Sequence, residues 1–168
     1  MTTAHEVYDH AVRARIAPFL RGLGFRGSGA RYALPSDTVW AQLGLQRSRG
    51  NSADEVAFTV NVSVIGRAEW ERACAQSPRL LAGRPGRPGP ARPSPNVHHA
   101  VGETVRIGSL MPGGRDVWWS FRSGPEPAGE LAEPVVAEVC AAIGDHALPH
   151  LLRFVPRAPG TAGRAHRT

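Results

Sequence analysis

The sequence predicts an α+β domain, a mainly antiparallel sheet of about five strands with helices packed on one face. Three observations predict it. Apolar residues recur at helical spacing from Ala4 to Leu23. The period then changes to two: Val56, Phe58, Val60, Val62 and Val64 alternate with Ala57, Thr59, Asn61 and Ser63. A helical period returns over Glu130 to Ile143, so a run of strands is bracketed by helices. Strands with one apolar and one polar face suit an antiparallel sheet buried on one side.

Thr3 and Glu6 are spaced as a capping box at the start of the first helix, 4–23. Ala4, Val7, Ala11, Ile16, Phe19, Leu20 and Leu23 form its apolar stripe, and Gly24 is placed to cap its end. Pro18 lacks the N–H that residue 14 would accept, which predicts a kink. Phe25 to Leu34 reads as a strand weakened by Gly27 and Gly29, and Pro35-Ser36-Asp37 as a turn. A strand through Val39, Ala41, Leu43 and Leu45, a loop at 49–52 and the strand at 56–64 follow. Arg67 to Ala75 reads as a short helix.

Residues 77–97 hold six prolines and three glycines, a composition that predicts a mobile loop with extended stretches. Val101 to Leu110 and Asp116 to Arg122 read as two strands joined by hairpin chemistry at Met111-Pro112-Gly113-Gly114. The helix at 130–143 carries Leu131, Val135, Val136, Val139 and Ile143, with Gly144 as its cap and another short helix over 145–154. The expectation is one domain over 1–154, with a disordered basic tail at 155–168.

The chain has 168 residues, 42% apolar and 20% charged, which is the composition of a globular domain rather than a disordered one. It has no run of 18 apolar residues and no basic, apolar start, so a cytoplasmic protein with no membrane span is expected. The formal net charge is +6, and every one of the 20 basic residues is arginine. Phosphate binding gives no reason to exclude lysine, whereas a GC-rich coding sequence does. Eight of these arginines lie in 77–97 and 153–168, where no acid stands. The remainder holds twelve basic against fourteen acidic residues, so the body is near neutral.

Leu23-Gly24-Phe25, Gln46-Arg47-Ser48, Phe58-Thr59-Val60-Asn61-Val62, Arg106-Ile107-Gly108 and Asp116-Val117-Trp118-Trp119 occur in this order. As an ordered set over about residues 4–125 they resemble the domain of unknown function 4304 family of small bacterial proteins. The resemblance implies an α+β domain without an established biochemical role, and it brings no catalytic residue.

Alternation points to one candidate site. If Val105, Ile107, Val117, Trp119 and Phe121 face the core, Arg106, Asp116, Trp118 and Ser120 face outward. Trp40, Gln42, Gln46, Thr59, Asn61 and Ser63 share that outer face. Trp40, Gln42, Gln46, Asn61, Arg106, Asp116 and Trp118 are therefore read as a binding surface on an open sheet face, since Trp and Arg are enriched at binding hot spots. The bland reading of the same residues is a solvated face, with Arg106 stacked on Trp118 or paired with Asp116.

The other constellations are thinner. His146 and His150 stand four apart beside Asp145, but no third metal ligand is evident. Cys74 and Cys140 suit packing better than zinc or a disulfide. The glycines near residues 22–29 run from helix to strand, opposite to a phosphate-binding loop, and no nucleophile elbow is present. No cofactor and no metal are implied. The sequence favours a non-catalytic binding domain with a protein or small-molecule partner. Two alternatives stand beside it: a small enzyme on the same face, using Arg106, Asp116 and a histidine, and weak nucleic-acid association through the basic loop and tail, which the lack of interleaved aromatics disfavours.

Overall fold

Ala4–Ala11, Val12–Ile16 and Ala17–Gly22 form one continuous helix, α1, in the computed structural model, which describes residues 1–77 and 92–156. Thr3 and Glu6 make the full capping box at its start. Pro18 produces a π turn over Val12–Ile16 just ahead of it, with the N–H of Ala17 reaching the carbonyl of Val12. The wider turn lets the ladder pass a residue that has no donor.

The same device recurs near the C-terminus. A helix runs over Ala128–Leu152, here α3, with a π turn at Ile143–Ala147 and Pro149 just beyond. The expected break at Gly144 is therefore corrected to one long helix. Ala147 and Leu151, both fully buried, anchor the turns past Gly144, and tertiary packing outweighs the weak helix propensity of glycine. By length and composition α3 is apolar enough to cross a membrane. In the fold it buries Ala132, Val136, Val139, Ala142 and Ile143 as well.

The sheet has six strands, all paired antiparallel: β1 (Arg26–Ser28), β2 (Arg31–Leu34), β3 (Val39–Arg47), β4 (Glu55–Gly66), β5 (Glu103–Arg106) and β6 (Trp119–Arg122). The expected strand at 25–34 is a tight hairpin instead. Gly29 turns the chain at φ 60°, and Gly27 holds φ 140° where a Cβ would meet the Tyr32 backbone. The expected hairpin between residues 101 and 122 is also corrected. β5 and β6 pair with β4, not with each other, and share its one free edge in succession: β6 along Glu55 to Phe58 and β5 along Asn61 to Val64. A 3₁₀ turn at Ile107–Leu110 shortens the first strand, and residues 116–118 lie outside the ladder. Thr59 stands at the gap and donates its hydroxyl to the Val117 carbonyl at 2.8 Å.

α1 and α3 cover one face. Phe58 in the first third of β4 stacks on Phe121 at 5.5 Å and lies edge-on to Tyr8 of α1 at 5.5 Å. An exposed Arg15–Glu133 ion pair links the two helices. The third helix, α2 (Arg67–Gln76), follows β4 directly and buries Trp70. Trp70 and Ile65 are buried outside the main core cluster.

Candidate functional site

The register sets out the face turned away from α1 and α3. Gln42 lies between Ala33 and Ser63, and Gly44 between Arg31 and Asn61. Arg106 is paired with Asn61, Gln46 with Thr59, and Trp40 with Ile65. Trp40, Gln42, Gln46, Asn61 and Arg106 therefore share one face, as alternation predicts. The face is not open, however. Residues 92–99 cross it as a strap, with Pro93 and Pro95 buried against the strands.

Polar side chains of the sheet hold the strap. Gln42 Nε2 donates to the Pro93 carbonyl at 3.2 Å. Asn61 Nδ2 donates to Gln46 Oε1 at 2.7 Å and to Asn96 Oδ1 at 3.1 Å, while Asn96 Nδ2 donates to the Leu45 carbonyl at 3.3 Å. His99 packs edge-on to Trp70 at 4.9 Å, and its Nε2 lies 3.1 Å from the Ser94 carbonyl. Gln42 and Asn61 are consequently only 3% and 5% exposed. This corrects the reading of both as open-face contacts: their amide nitrogens are spent on the chain's own backbone and side chains. It also corrects residues 93–96 of the expected mobile loop, which are packed against the sheet. Residues 78–91 of that loop and 157–168 of the expected tail lie outside the described residues.

Arg106, Asp116 and Trp118 come together at the other end of the face. Asp116 Oδ2 accepts from Arg106 Nη1 at 2.5 Å and from Trp118 Nε1 at 3.0 Å. The Arg106 guanidinium lies 5.0 Å from the Trp118 ring centre. The cluster is exposed, with Trp118 at 38%, and its opposite charges neutralise each other. Such an arrangement is self-contained.

Trp40 belongs to a different environment. The Arg67 guanidinium lies 3.8 Å from its ring centre and that of Arg92 5.7 Å. These groups border a groove of about 370 Å³ with Arg26, Pro35 and Asp37. Arg26 and Arg92 also border an adjoining hollow of about 250 Å³, which reaches Arg31 and Gln42. Three buried polar atoms have no hydrogen-bond partner among the described residues: Arg67 Nε, of a groove residue, and Gln42 Oε1 and Tyr32 Oη, of residues that line the adjoining hollow. Buried polar groups are nearly always paired, so orphans on residues lining two adjoining hollows mark this region.

The model of a domain of unknown function, DUF4304, matches residues 16–153. The chain belongs to the DUF4304 family. The match starts twelve or so residues after the stretch carrying the resemblance and extends past it to the end of α3. No curated protein and no solved structure matches the chain.

The DUF4304 domain thus splits the seven sequence-selected residues three ways. Gln42, Gln46 and Asn61 hold the strap, Arg106, Asp116 and Trp118 close on themselves, and Trp40 with the far side of Gln42 meets the groove. Sequence reasoning missed Arg26 and Arg67, and read Arg92 only as one of the arginines of a solvated basic loop. Parity across the β1–β2 hairpin puts Arg26 and Arg31 on the Gln42 face, a signal hidden by reading residues 25–34 as one strand. Among the described residues no group of three or more His, Cys, Asp or Glu side chains is placed to hold a metal. A second hollow of about 410 Å³ lies between α1 and the β1–β2 turn, by Tyr8, Arg13 and Arg47. Burial pushes the Tyr8 phenol up to about 12.

Proposed function

We propose that this DUF4304 chain is a non-catalytic binding module whose site is the Trp40 groove on the strap-covered face of the sheet. One observation carries the reading: Arg67, whose Nε is buried and unpartnered among the described residues, lines the Trp40 groove, and Gln42, whose Oε1 is likewise buried and unpartnered, lines the hollow that adjoins it. A buried orphan acceptor or donor costs roughly 1–3 kcal/mol; both atoms are closed to solvent, so a ligand removes that cost when the Gln42 and Arg67 side chains turn to meet it. The groove's volume falls in the small-molecule range, about 300–1,000 Å³. Its hydroxyl, Ser36, accepts from the backbone N–H groups of Thr38 and Val39 at 3.3 Å and makes no hydrogen bond to Asp37, the lining carboxylate, or to another base among the described residues. A nucleophile without a base favours binding over covalent catalysis. The burial of α3 against the sheet supports a core role for that apolar helix.

The test is an NMR screen of the isotopically labelled chain against a chemically mixed fragment library. Hits should move the Trp40 indole and Gln42 side-chain amide signals, and Trp40→Ala should abolish them. Hits confined to the Tyr8 hollow or to the Arg106–Trp118 cluster would refute the assignment.

A further inference from the structure

We infer that the Trp40 groove recognises the phosphoryl group of a small phosphorylated molecule that also carries a hydroxyl or amine donor. The inference rests on the binding reading above and names the chemistry that the site would take.

Charge is the first argument. Arg26, Arg67 and Arg92 border the main groove and Arg31 the adjoining hollow, against a single carboxylate, Asp37. The ion pairs among the described residues use Arg15, Arg106 and Arg122, and none uses these four. Arginine elsewhere on this face is neutralised, as Arg106 is by Asp116. Here it is left in excess. A phosphate monoester brings a charge of about −1.5 to −2 and three acceptor oxygens, a closer match to several guanidinium groups than one carboxylate.

Preorganisation is the second. Arg67 is laid on the Trp40 ring, and its Nε is buried with no acceptor among the described residues. A guanidinium held flat offers its fork of donors with little further loss of freedom. An oxyanion in the groove accepts from this guanidinium, and a small turn of Arg67 brings its buried Nε into that charge-assisted hydrogen bond. Gln42 supplies the complement. Its amide nitrogen is committed to the Pro93 carbonyl, so its oxygen is left to receive a donor. A bare anion has no donor to give, whereas a phosphorylated alcohol or amine does.

The same geometry disfavours a nucleic-acid strand. Strand binders stack bases on free aromatic faces along a cationic track. Trp40 has a guanidinium 3.8 Å from its ring centre, and the arginines gather around one concavity.

The experiment is an NMR titration of the full chain, following the Arg67 Nε–H and Trp40 Nε1–H signals. The ligands are inorganic phosphate, glycerol phosphate and citrate, with sodium chloride at matched ionic strength as the control. Both phosphates should shift these signals saturably, and glycerol phosphate should bind more tightly because its hydroxyls reach Gln42. Arg67→Ala should weaken binding about tenfold or more, the loss expected for one charge-assisted hydrogen bond. Arg92→Ala, at the exposed rim, should weaken it too and guards against an unfolded Arg67 variant. Arg106→Ala should leave it unchanged. Tighter binding of citrate, or saturable binding of neutral fragments alone, would overturn the phosphoryl inference and leave the site standing. Shifts that merely track chloride, with no fragment bound either, would overturn both.

Discussion

Asn96 occupies the space in which a side chain at position 44 would stand: a Cβ added to Gly44 would lie 2.8 Å from Asn96 Cγ. Gly44 is in mid-strand, where glycine normally weakens a sheet. Here it lets Asn96 come down onto β3, bond the Leu45 carbonyl and accept from Asn61. The seating of the strap and the pairing of the buried Asn61 amide depend on that contact.

Gly44→Ala is therefore expected to lift the strap rather than break the strand. The cost should be about 1–3 kcal/mol, the range for overpacking a tight site. Urea unfolding measures it, and faster amide exchange at Leu45 and Asn61 reports the lifted strap. Asn96→Ala leaves Asn61 short of a partner and should show the same exchange signature. An unchanged midpoint with unchanged exchange would show that the strap does not depend on this contact.

The capping box makes an acid-side prediction. The backbone and hydroxyl hydrogen bonds of Thr3 hold the Glu6 carboxyl below its usual range. A lowered folded pKa contributes stability above the unfolded value near 4.5 and loses it as pH falls through the folded one. Thr3→Ala should lower stability at neutral pH, by about 1 kcal/mol for a lost N-cap. It should also flatten the acid limb of a plot of Tm against pH.

Tyr8 makes the alkaline one. Burial raises its folded pKa from 10.0 to about 12, so the unfolded chain ionises first as pH rises. The stability is fully present below 10 and falls between 10 and 12, by up to roughly 3 kcal/mol. Tyr8→Phe should remove that slope. Absorbance at the phenolate band should show both tyrosines resisting ionisation until the fold opens, since burial raises the Tyr32 phenol as well.

The Arg106–Asp116–Trp118 cluster should be quiet in both respects. Arg106→Ala removes an exposed ion pair, which costs at most about 1 kcal/mol. Thermal unfolding should change little, while Trp118 fluorescence should shift as its indole loses the guanidinium and the hold on Asp116 loosens. A large loss of stability would mean that the cluster props up the junction between β5 and β6.

The period of the apolar residues determined the α+β class, the central strand and both long helices, because burial on one face leaves a local, repeating mark. Thr3 and Glu6 likewise placed the first helix, since a cap is a contact between residues three apart. Alternation also put Trp40, Gln42, Asn61 and Arg106 on one face. Tertiary structure decided which of them remain available. The strap at 92–99 reaches Gln42 and Gly44 across some fifty residues of sequence, and its proline-rich composition reads locally as loop. The shared β4 edge and the continuation of α3 past Gly144 were likewise set by distant packing. The groove exists because Arg26, Trp40, Arg67 and Arg92, from four separate segments, meet there. Such a meeting leaves no period in the chain, since it is made by contacts between residues far apart in sequence.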